Sequence, residues 1–296
     1  MKPLGFLGVG LMGTPMALNL LAADIPMLVW NRSPGKVSEL VAAGATAAAT
    51  PAEVFAACET VIMMLATPDA IDAVLQPYSS AFAKMVGGKL VISTGTASPV
   101  YSARLAQAIE RAGGRYVEAP VSGSKQQAQD KQLVAMVAGS PADVAEARGI
   151  LQPICRETFD CGAIPGGLTM KLAVNHFMIV MVSGLAEAFH FADAAGLDPA
   201  AFRDVLDATP MASSVSRVKA GKLASRDWTP QATTADVLKN IKLIDDAISQ
   251  VGATSPLLHA CFDLFDEIVS AGESGADMAA VASVFDARRL REKVGA

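Results

Sequence analysis

The sequence predicts an α/β fold: an N-terminal Rossmann domain with a doubly wound parallel sheet, then an all-α C-terminal domain opened by one long helix. Three observations carry this. Short apolar runs alternate with amphipathic segments through the first half of the chain, the order of a parallel sheet. Three glycines, Gly8, Gly10 and Gly13, follow the first run and open the first amphipathic segment. Beyond Gly162 the strand-length runs cease and a helical pattern continues over 168–195, roughly 40 Å at 1.5 Å per residue. A nucleotide-binding domain is therefore expected over 1–163 and an all-α domain over 164–296, which the resemblance described below makes the substrate and dimerisation domain. The cleft between them is the expected active site.

Each element has a local reason. Residues 4–8 read as a strand, 11–22 as a helix and 26–30 as the next strand. Ser33 is expected to cap a helix with Pro34 at its first position and an end near Gly44. "TPAEVFAA" repeats the device: Thr50 caps, Pro51 opens and Glu53 closes a capping box. "TVIMML" and "GKLVIST", rich in β-branched residues, read as buried strands. "SPVYSARLAQAIERAGG" is a helix capped by Ser98 and stopped by Gly113, and "RYVEAPV", "QLVAMVAG" and "RETFDCG" read as later strands. After the long helix, Gly196 and Pro199 punctuate the chain, and helical periods resume from Ala200, Leu238 and Pro256.

Composition excludes several classes. Hydrophobic residues make up 52% and charged residues 18% of 296, enough apolar matter for a core and too much for disorder. A formal net charge of −5 with no Lys/Arg run argues against nucleic acid as a partner. Cys58, Cys155, Cys161 and Cys261 form no CxxC pair, so reduced, mostly buried thiols are expected rather than a metal site or disulfides. The apolar N-terminal run is broken at once by glycines, unlike a signal peptide. The richest apolar segment, 172–186, is shorter than the ~20 residues of a membrane span and contains Asn175 and His176. A cytoplasmic protein with no membrane partner is expected.

The glycines point to a dinucleotide. Gly8 permits the tight turn, Gly10 lets backbone approach a pyrophosphate and Gly13 lets helix and strand pack closely; Leu11 and Met12 lie between them at the helix N-terminus that faces the phosphates. An NAD site places Asp or Glu at the end of the second strand to accept from the ribose 2′-hydroxyl. This chain has Asn31, Arg32 and Ser33 there. Asn and Ser can donate to a phosphate and Arg adds a bidentate cation, so NADP (NADPH) is expected over NAD. Arg32 could also stack on the adenine or be an ordinary surface arginine beside a cap, and Lys36 is equally a contact or a solvated helix residue.

With a nicotinamide, the chemistry needs a proton donor. A Tyr-x-x-x-Lys pair is absent, since Phe82, Arg104 and Pro120 stand four residues after Tyr78, Tyr101 and Tyr116. His176, His190 and His259 lie in helical, mostly apolar contexts that suit packing or surface histidines, and none has metal-ligand spacing. Lys171 and Asn175 stand at i and i+4 near the start of the long helix, hence on one face. Helix position alone leaves two readings of Lys171 equal: a catalytic ammonium in a polar cleft, or a lysine snorkelling to solvent.

At this point the chain resembles the β-hydroxyacid dehydrogenase family, which includes 3-hydroxyisobutyrate dehydrogenase, tartronate semialdehyde reductase and the glyoxylate/succinic semialdehyde reductases. The resemblance runs in order through "GFLGVGLMGTPMALNL", "VWNRSPGK", "ISTGT", "EAPVSGSKQQAQDKQL", "MKLAVNHFM" and "LKNIKL". "VSGSK" and the "NR" after the second strand look most like the NADPH-dependent glyoxylate/succinic semialdehyde reductase branch. The resemblance implies that Lys171 is the general acid, that Asn175 orients substrate or Lys171, and that Ser122 and Gly123 hold a substrate carboxylate. It implies further that Thr94 lies near nicotinamide and substrate, that Lys239 closes over cofactor or substrate, and that the chain forms a homodimer or a homotetramer. The implied substrate is a small aldehyde- or keto-acid.

Departures from the family pattern bear on that substrate. The family usually has Lys-Asp where this chain has Lys239-Asn240, and often glycine where it has Ser124, Gln127 and Lys131; Ala232 stands where the reductase branch has an aromatic. Three alternatives remain: a 3-hydroxyisobutyrate or 2-hydroxy-3-oxopropionate type dehydrogenase using NADP, an imine reductase, and a non-catalytic NADP-binding scaffold. Lys171 argues against the last two, since imine reductases generally carry Asp or Tyr there and non-enzymatic relatives replace the lysine.

Overall fold

Four consecutive buried residues make β1 (Leu4–Leu7) the centre of the first sheet. Phe6 packs into one apolar cluster and Leu7 into the other, as strand alternation requires when both faces are covered. The computed structural model describes residues 2–77 and 79–295; Tyr78, one of the three tyrosines without a lysine partner, lies outside them. Two compact units divide the chain, Met1–Lys171 and Leu172–Ala296.

In the first unit β1 is followed by α1 (Gly13–Leu21), β2 (Met27–Trp30), a 3-10 turn (Pro34–Val37), α2 (Ser38–Ala42), β3 (Thr46–Ala47), α3 (Pro51–Ala57), β4 (Thr60–Met63), α4 (Pro68–Leu75) and α5 (Phe82–Val86). Then come β5 (Leu90–Ser93), α6 (Pro99–Arg111), β6 (Arg115–Glu118), β7 (Val121–Ser122), α7 (Lys125–Gln129), β8 (Leu133–Val137), α8 (Pro141–Leu151), β9 (Cys155–Asp160) and the first turns of α9 (Gly166–Ala194). The large sheet runs β3-β2-β1-β4-β5-β6 with parallel pairings throughout, the doubly wound order with its switch between β1 and β4. The smaller sheet, β7-β8-β9, pairs β8 antiparallel to β7 and parallel to β9.

Two local expectations are corrected. "RYVEAPV" is not one strand: Glu118 ends β6 and bridges Ala138, and β7 begins after Pro120, whose missing N–H suits a break between ladders. Ser33 does not cap with its hydroxyl, and the segment after it starts as a 3-10 turn before α2. Thr50 and Ser98 do cap, each accepting from the backbone N–H three residues on.

The second unit holds the rest of α9, then α10 (Pro199–Ala208), α11 (Ser214–Ser225), α12 (Thr234–Gln250), α13 (Pro256–Ser270), a 3-10 turn (Met278–Val281) and α14 (Ala282–Gly295). Its core gathers Leu172, Ile179, Val182, Ala186 and Phe189 of α9 against α11, α12 and α13. At 29 residues, α9 is long and apolar enough to cross a bilayer by length and composition, a longer apolar helix than the segment 172–186 suggested. Inside this unit one of its faces is core. Cys58, Cys155 and Cys261 are buried free thiols and Cys161 is half-buried, and the described residues contain no group of three His, Cys, Asp or Glu side chains able to hold a metal.

Candidate active site

The glycine loop is shaped by what its missing side chains avoid. A Cβ on Gly8, whose φ is +99°, would stand 2.2 Å from the Met64 carbonyl oxygen, and one on Gly13 would stand 2.0 Å from that of Gly8. Those two glycines are needed by the protein's own packing. Gly10 differs: a Cβ there meets nothing within 4 Å, so its bare backbone borders open space. The N-terminus of α1 beside it has no side-chain cap and no acidic residue in its first turn. Leu11 is exposed, while Met12 packs its side chain against the core, leaving only its backbone for a ligand. Open space at Gly10 before an uncapped helix end is a cradle that fits a pyrophosphate.

At the end of β2, Asn31 ties the loop down. Its Oδ1 accepts the Val9 N–H at 3.0 Å and its Nδ2 donates to the Ser33 carbonyl at 3.1 Å. Asn31 is thus first a loop organiser, a role that spacing alone did not reveal. Arg32, Ser33 and Lys36 are exposed. Arg32 has no ion pair or hydrogen bond among the described residues, and the Ser33 hydroxyl is left uncommitted by the absent cap. This rim is basic and offers hydroxyl and guanidinium donors to a phosphate.

The lysine of α9 is buried. Lys171 is 7% exposed and makes no ion pair or hydrogen bond among the described residues. Burial alone pulls its ammonium down to about 8. One turn on, buried Asn175 donates through Nδ2 to Asn240 Oδ1 at 3.2 Å, and Asn240 Nδ2 donates in turn to the Asp236 carbonyl at 2.8 Å. Asn240 accepts as a carboxylate would, without the charge, and leaves the Asn175 carbonyl oxygen to accept from another donor. Lys239, its neighbour on α12, is half-buried.

Ser122 ends β7, and Gly123 follows with φ +134°, where a Cβ would stand 2.8 Å from a Leu133 methyl. Among the described residues no hydrogen bond joins either to Lys171. Ser124 and Gln127, the departures in this loop, form the capping box of α7, with Gln127 Oε1 accepting the Ser124 N–H at 2.9 Å. Lys131 adopts φ +59°, a left-handed position in which the family's glycine is unstrained. Thr94 is turned inward: it is 1% exposed and its hydroxyl donates to the Met63 carbonyl at 3.0 Å, so its side chain is not presented to a ligand. His190 pairs with Asp286 at 3.2 Å and His259 with Asp245 at 2.9 Å, both within the second unit.

Sequence reasoning missed Glu118. It is fully buried at the end of β6, and its Oε2 accepts the Leu168 N–H, one turn before Lys171, at 3.1 Å. A lone acid closing an apolar strand at its carboxyl end was the available signal.

Residues 3–162 match the family described as the NAD binding domain of 6-phosphogluconate dehydrogenase. Residues 166–285 match the NAD-binding domain of NADP-dependent 3-hydroxyisobutyrate dehydrogenase. The chain is 32% identical to glyoxylate/succinic semialdehyde reductase 1 of Arabidopsis thaliana over 94% of its own length and 96% of that protein. It is 29% identical to mitochondrial 3-hydroxyisobutyrate dehydrogenase of Mus musculus, over 94% of this chain and 85% of that one. The fold is shared with a 3-hydroxyisobutyrate dehydrogenase structure from Salmonella typhimurium, at a TM-score of 0.87 and 23% identity, covering 96% of this chain and 100% of that chain.

Proposed function

Since the chain belongs to the 3-hydroxyisobutyrate dehydrogenase-like family of NAD(P)-dependent oxidoreductases acting on CH–OH and carbonyl groups, we propose that it is an NADPH-dependent reductase of small aldehyde- or keto-acids, of the glyoxylate/succinic semialdehyde type, with Lys171 as the proton donor. The carrying observation is Lys171 on the first turns of α9, buried and without an ion pair or hydrogen bond among the described residues. An ammonium buried there with no ion pair among the described residues is costly to the fold, and service to a reacting oxygen would account for it.

Gly8, Gly10, Gly13 and the backbone of Leu11 and Met12 would hold the pyrophosphate, and Arg32 and Ser33 a 2′-phosphate. When bound, the reduced nicotinamide supplies the hydride that adds to the carbonyl carbon. Lys171 gives the carbonyl oxygen its proton, so that an alcohol forms and the lysine is left neutral. In the reverse direction the neutral amine accepts the alcohol proton. Asn175, held by Asn240, orients the substrate or Lys171, and the Ser122 hydroxyl and the Gly123 N–H bind the substrate carboxylate. Lys239 closes over cofactor or substrate. Thr94 contributes only as backbone unless its hydroxyl leaves Met63.

The test is absorbance of the reduced nicotinamide with glyoxylate, succinic semialdehyde, tartronate semialdehyde and a cyclic imine, each with NADPH and with NADH. NADPH-dependent turnover of the aldehyde acids is expected. Turnover of the imine alone would overturn the substrate class, and turnover with NADH alone the cofactor.

We also propose a homo-oligomer. Phe177 and Phe191 of α9 are 72% and 70% exposed and share one side of the helix with exposed Val174, an apolar stripe that a second copy would cover. A monomer mass by light scattering at micromolar concentration would contradict it.

A further inference from the structure

We infer that Glu118 is a positioning residue for Lys171: from the end of β6 its carboxyl anchors the first turn of α9 and so fixes the depth at which Lys171 is buried. The inference rests on the reading of Lys171 as proton donor. It starts from a weakness in the helix. Gly166 and Gly167 open α9, and glycine is the poorest helix former after proline. No acidic side chain stands in its first turn. The acceptor that local sequence fails to provide comes instead from fifty residues earlier, where Glu118 Oε2 takes the Leu168 N–H at 3.1 Å.

The anchor is itself fixed. The Glu118 backbone exchanges two hydrogen bonds with Ala138, of 2.9 and 2.8 Å, where the large and small sheets meet. A Cβ added to Gly167 would stand 3.2 Å from Glu118 Oε2 and 2.7 Å from the Met136 carbonyl oxygen, so the carboxyl and the helix turn are in close contact. The other carboxyl oxygen, Oε1, is buried and meets the geometric requirements of a hydrogen bond with no group among the described residues, the Ser102 hydroxyl being its polar neighbour. A negative or strongly dipolar group at a helix N-terminus stabilises the turn it faces. Loss of that contact would let the two-glycine turn fray and admit water to Lys171, one turn along.

The titratable groups that sense Glu118 do not confuse the readout. Burial pushes Tyr116, on the same strand, up to about 12, and raises the Cys161 thiol after β9. Burial likewise raises Glu118, with the nearby Ser102 hydroxyl and the Leu168 and Gly167 amides pulling it back. Lys171 responds to burial alone.

The experiment compares E118A, E118Q and E118D in the whole enzyme with K171A as reference. It measures kcat for reduction against pH, the Kd for NADPH, and amide hydrogen exchange at Leu168. E118A is expected to lower kcat about tenfold or more with the NADPH Kd unchanged, to move the alkaline limb upward from about 8, and to speed Leu168 exchange about tenfold. E118Q, whose amide oxygen still accepts from Leu168, should keep the limb in place and kcat within about threefold. Should E118A not fold, E118D serves: it keeps the acid but withdraws the acceptor by one methylene, and the limb should move. An unmoved limb in the folded variant, with activity falling only as the folded fraction falls, overturns the inference. Turnover retained in K171A would instead sink the proton-donor reading. In that case unchanged Leu168 exchange in E118A refutes the anchor on its own.

Discussion

Lys171→Met is expected to cut turnover by about a hundredfold or more and to stabilise the fold at neutral pH. The two effects have one cause. Lys171 is buried without an ion pair among the described residues, and burial lowers it from 10.5 to about 8. At about 1.4 kcal/mol for each tenfold change in the protonation equilibrium, keeping it charged in the folded state at pH 7 costs roughly 3 kcal/mol. Methionine fills a similar volume with no charge to desolvate, so a gain of up to roughly 3 kcal/mol follows, at the upper end of what one substitution gives.

The pH dependence fixes the sign. The folded-state value lies below the unfolded one, so the unfolded chain binds the extra proton between about 8 and 10.5, and the stability of the wild type rises with pH across that window. The advantage of K171M should therefore be full below pH 8 and shrink above it, which thermal melts at pH 7 and pH 10 would read. Reductive kcat in the wild type should fall as pH rises through about 8, and oxidation should rise through the same range, because the first needs the ammonium and the second the amine. Loss of the donor should cost about a hundredfold to ten-thousandfold in kcat, with the NADPH Kd little changed. A K171M protein less stable than wild type at pH 7 would show that the lysine is satisfied by contacts the structure does not contain. Retained reduction would remove it from the chemistry.

What was legible in the sequence follows the range of the interactions. β1, β4 and β5 are buried on both faces and read as apolar runs, and α9 as an unbroken helical pattern. The two-residue strands β3 and β7 are too short to show any period. α11 was missed for a different reason. Two of its buried positions carry Lys219 and Lys222, which break the apolar pattern. Their charges are answered from outside the helix, Lys219 by Asp277 at 2.7 Å and Lys222 by the Thr229 carbonyl at 2.6 Å. In the candidate site, the pairing of Lys171 with Asn175 is local and visible at i and i+4. Glu118 and Asn240 act on that helix through contacts spanning 50 and 65 positions, which no local pattern encodes. Ser33 shows the converse. Its residue type predicts a cap, and the 3-10 turn that forms instead leaves the hydroxyl free at the rim where a phosphate would sit.

That rim yields the second large effect, a change of cofactor from Asn31→Asp and Arg32→Ala. An aspartate at 31 can still accept the Val9 N–H, the bond that holds the glycine loop to β2, so the loop should survive. It loses the donor to the Ser33 carbonyl and sets a carboxylate beside Arg32, where it would repel a 2′-phosphate and accept instead from a ribose hydroxyl. The kcat/KM for NADPH should fall about a hundredfold and that for NADH should rise, reversing the preference. On the NADPH reading R32A should remove one charge-assisted contact of about 1.5–3 kcal/mol, or about ten- to a hundredfold in kcat/KM for NADPH, and should leave NADH within about threefold. Because Arg32 is exposed and unpaired among the described residues, its contribution should weaken as salt rises, while the backbone cradle at Gly10 and α1 should not. Equal losses with both cofactors in R32A would mean that the guanidinium stacks on the adenine, a surface common to NADP and NAD. No loss with either would leave phosphate recognition to Ser33 and Lys36, and N31D would then decide whether the missing acid at the end of β2 is by itself enough to set the preference.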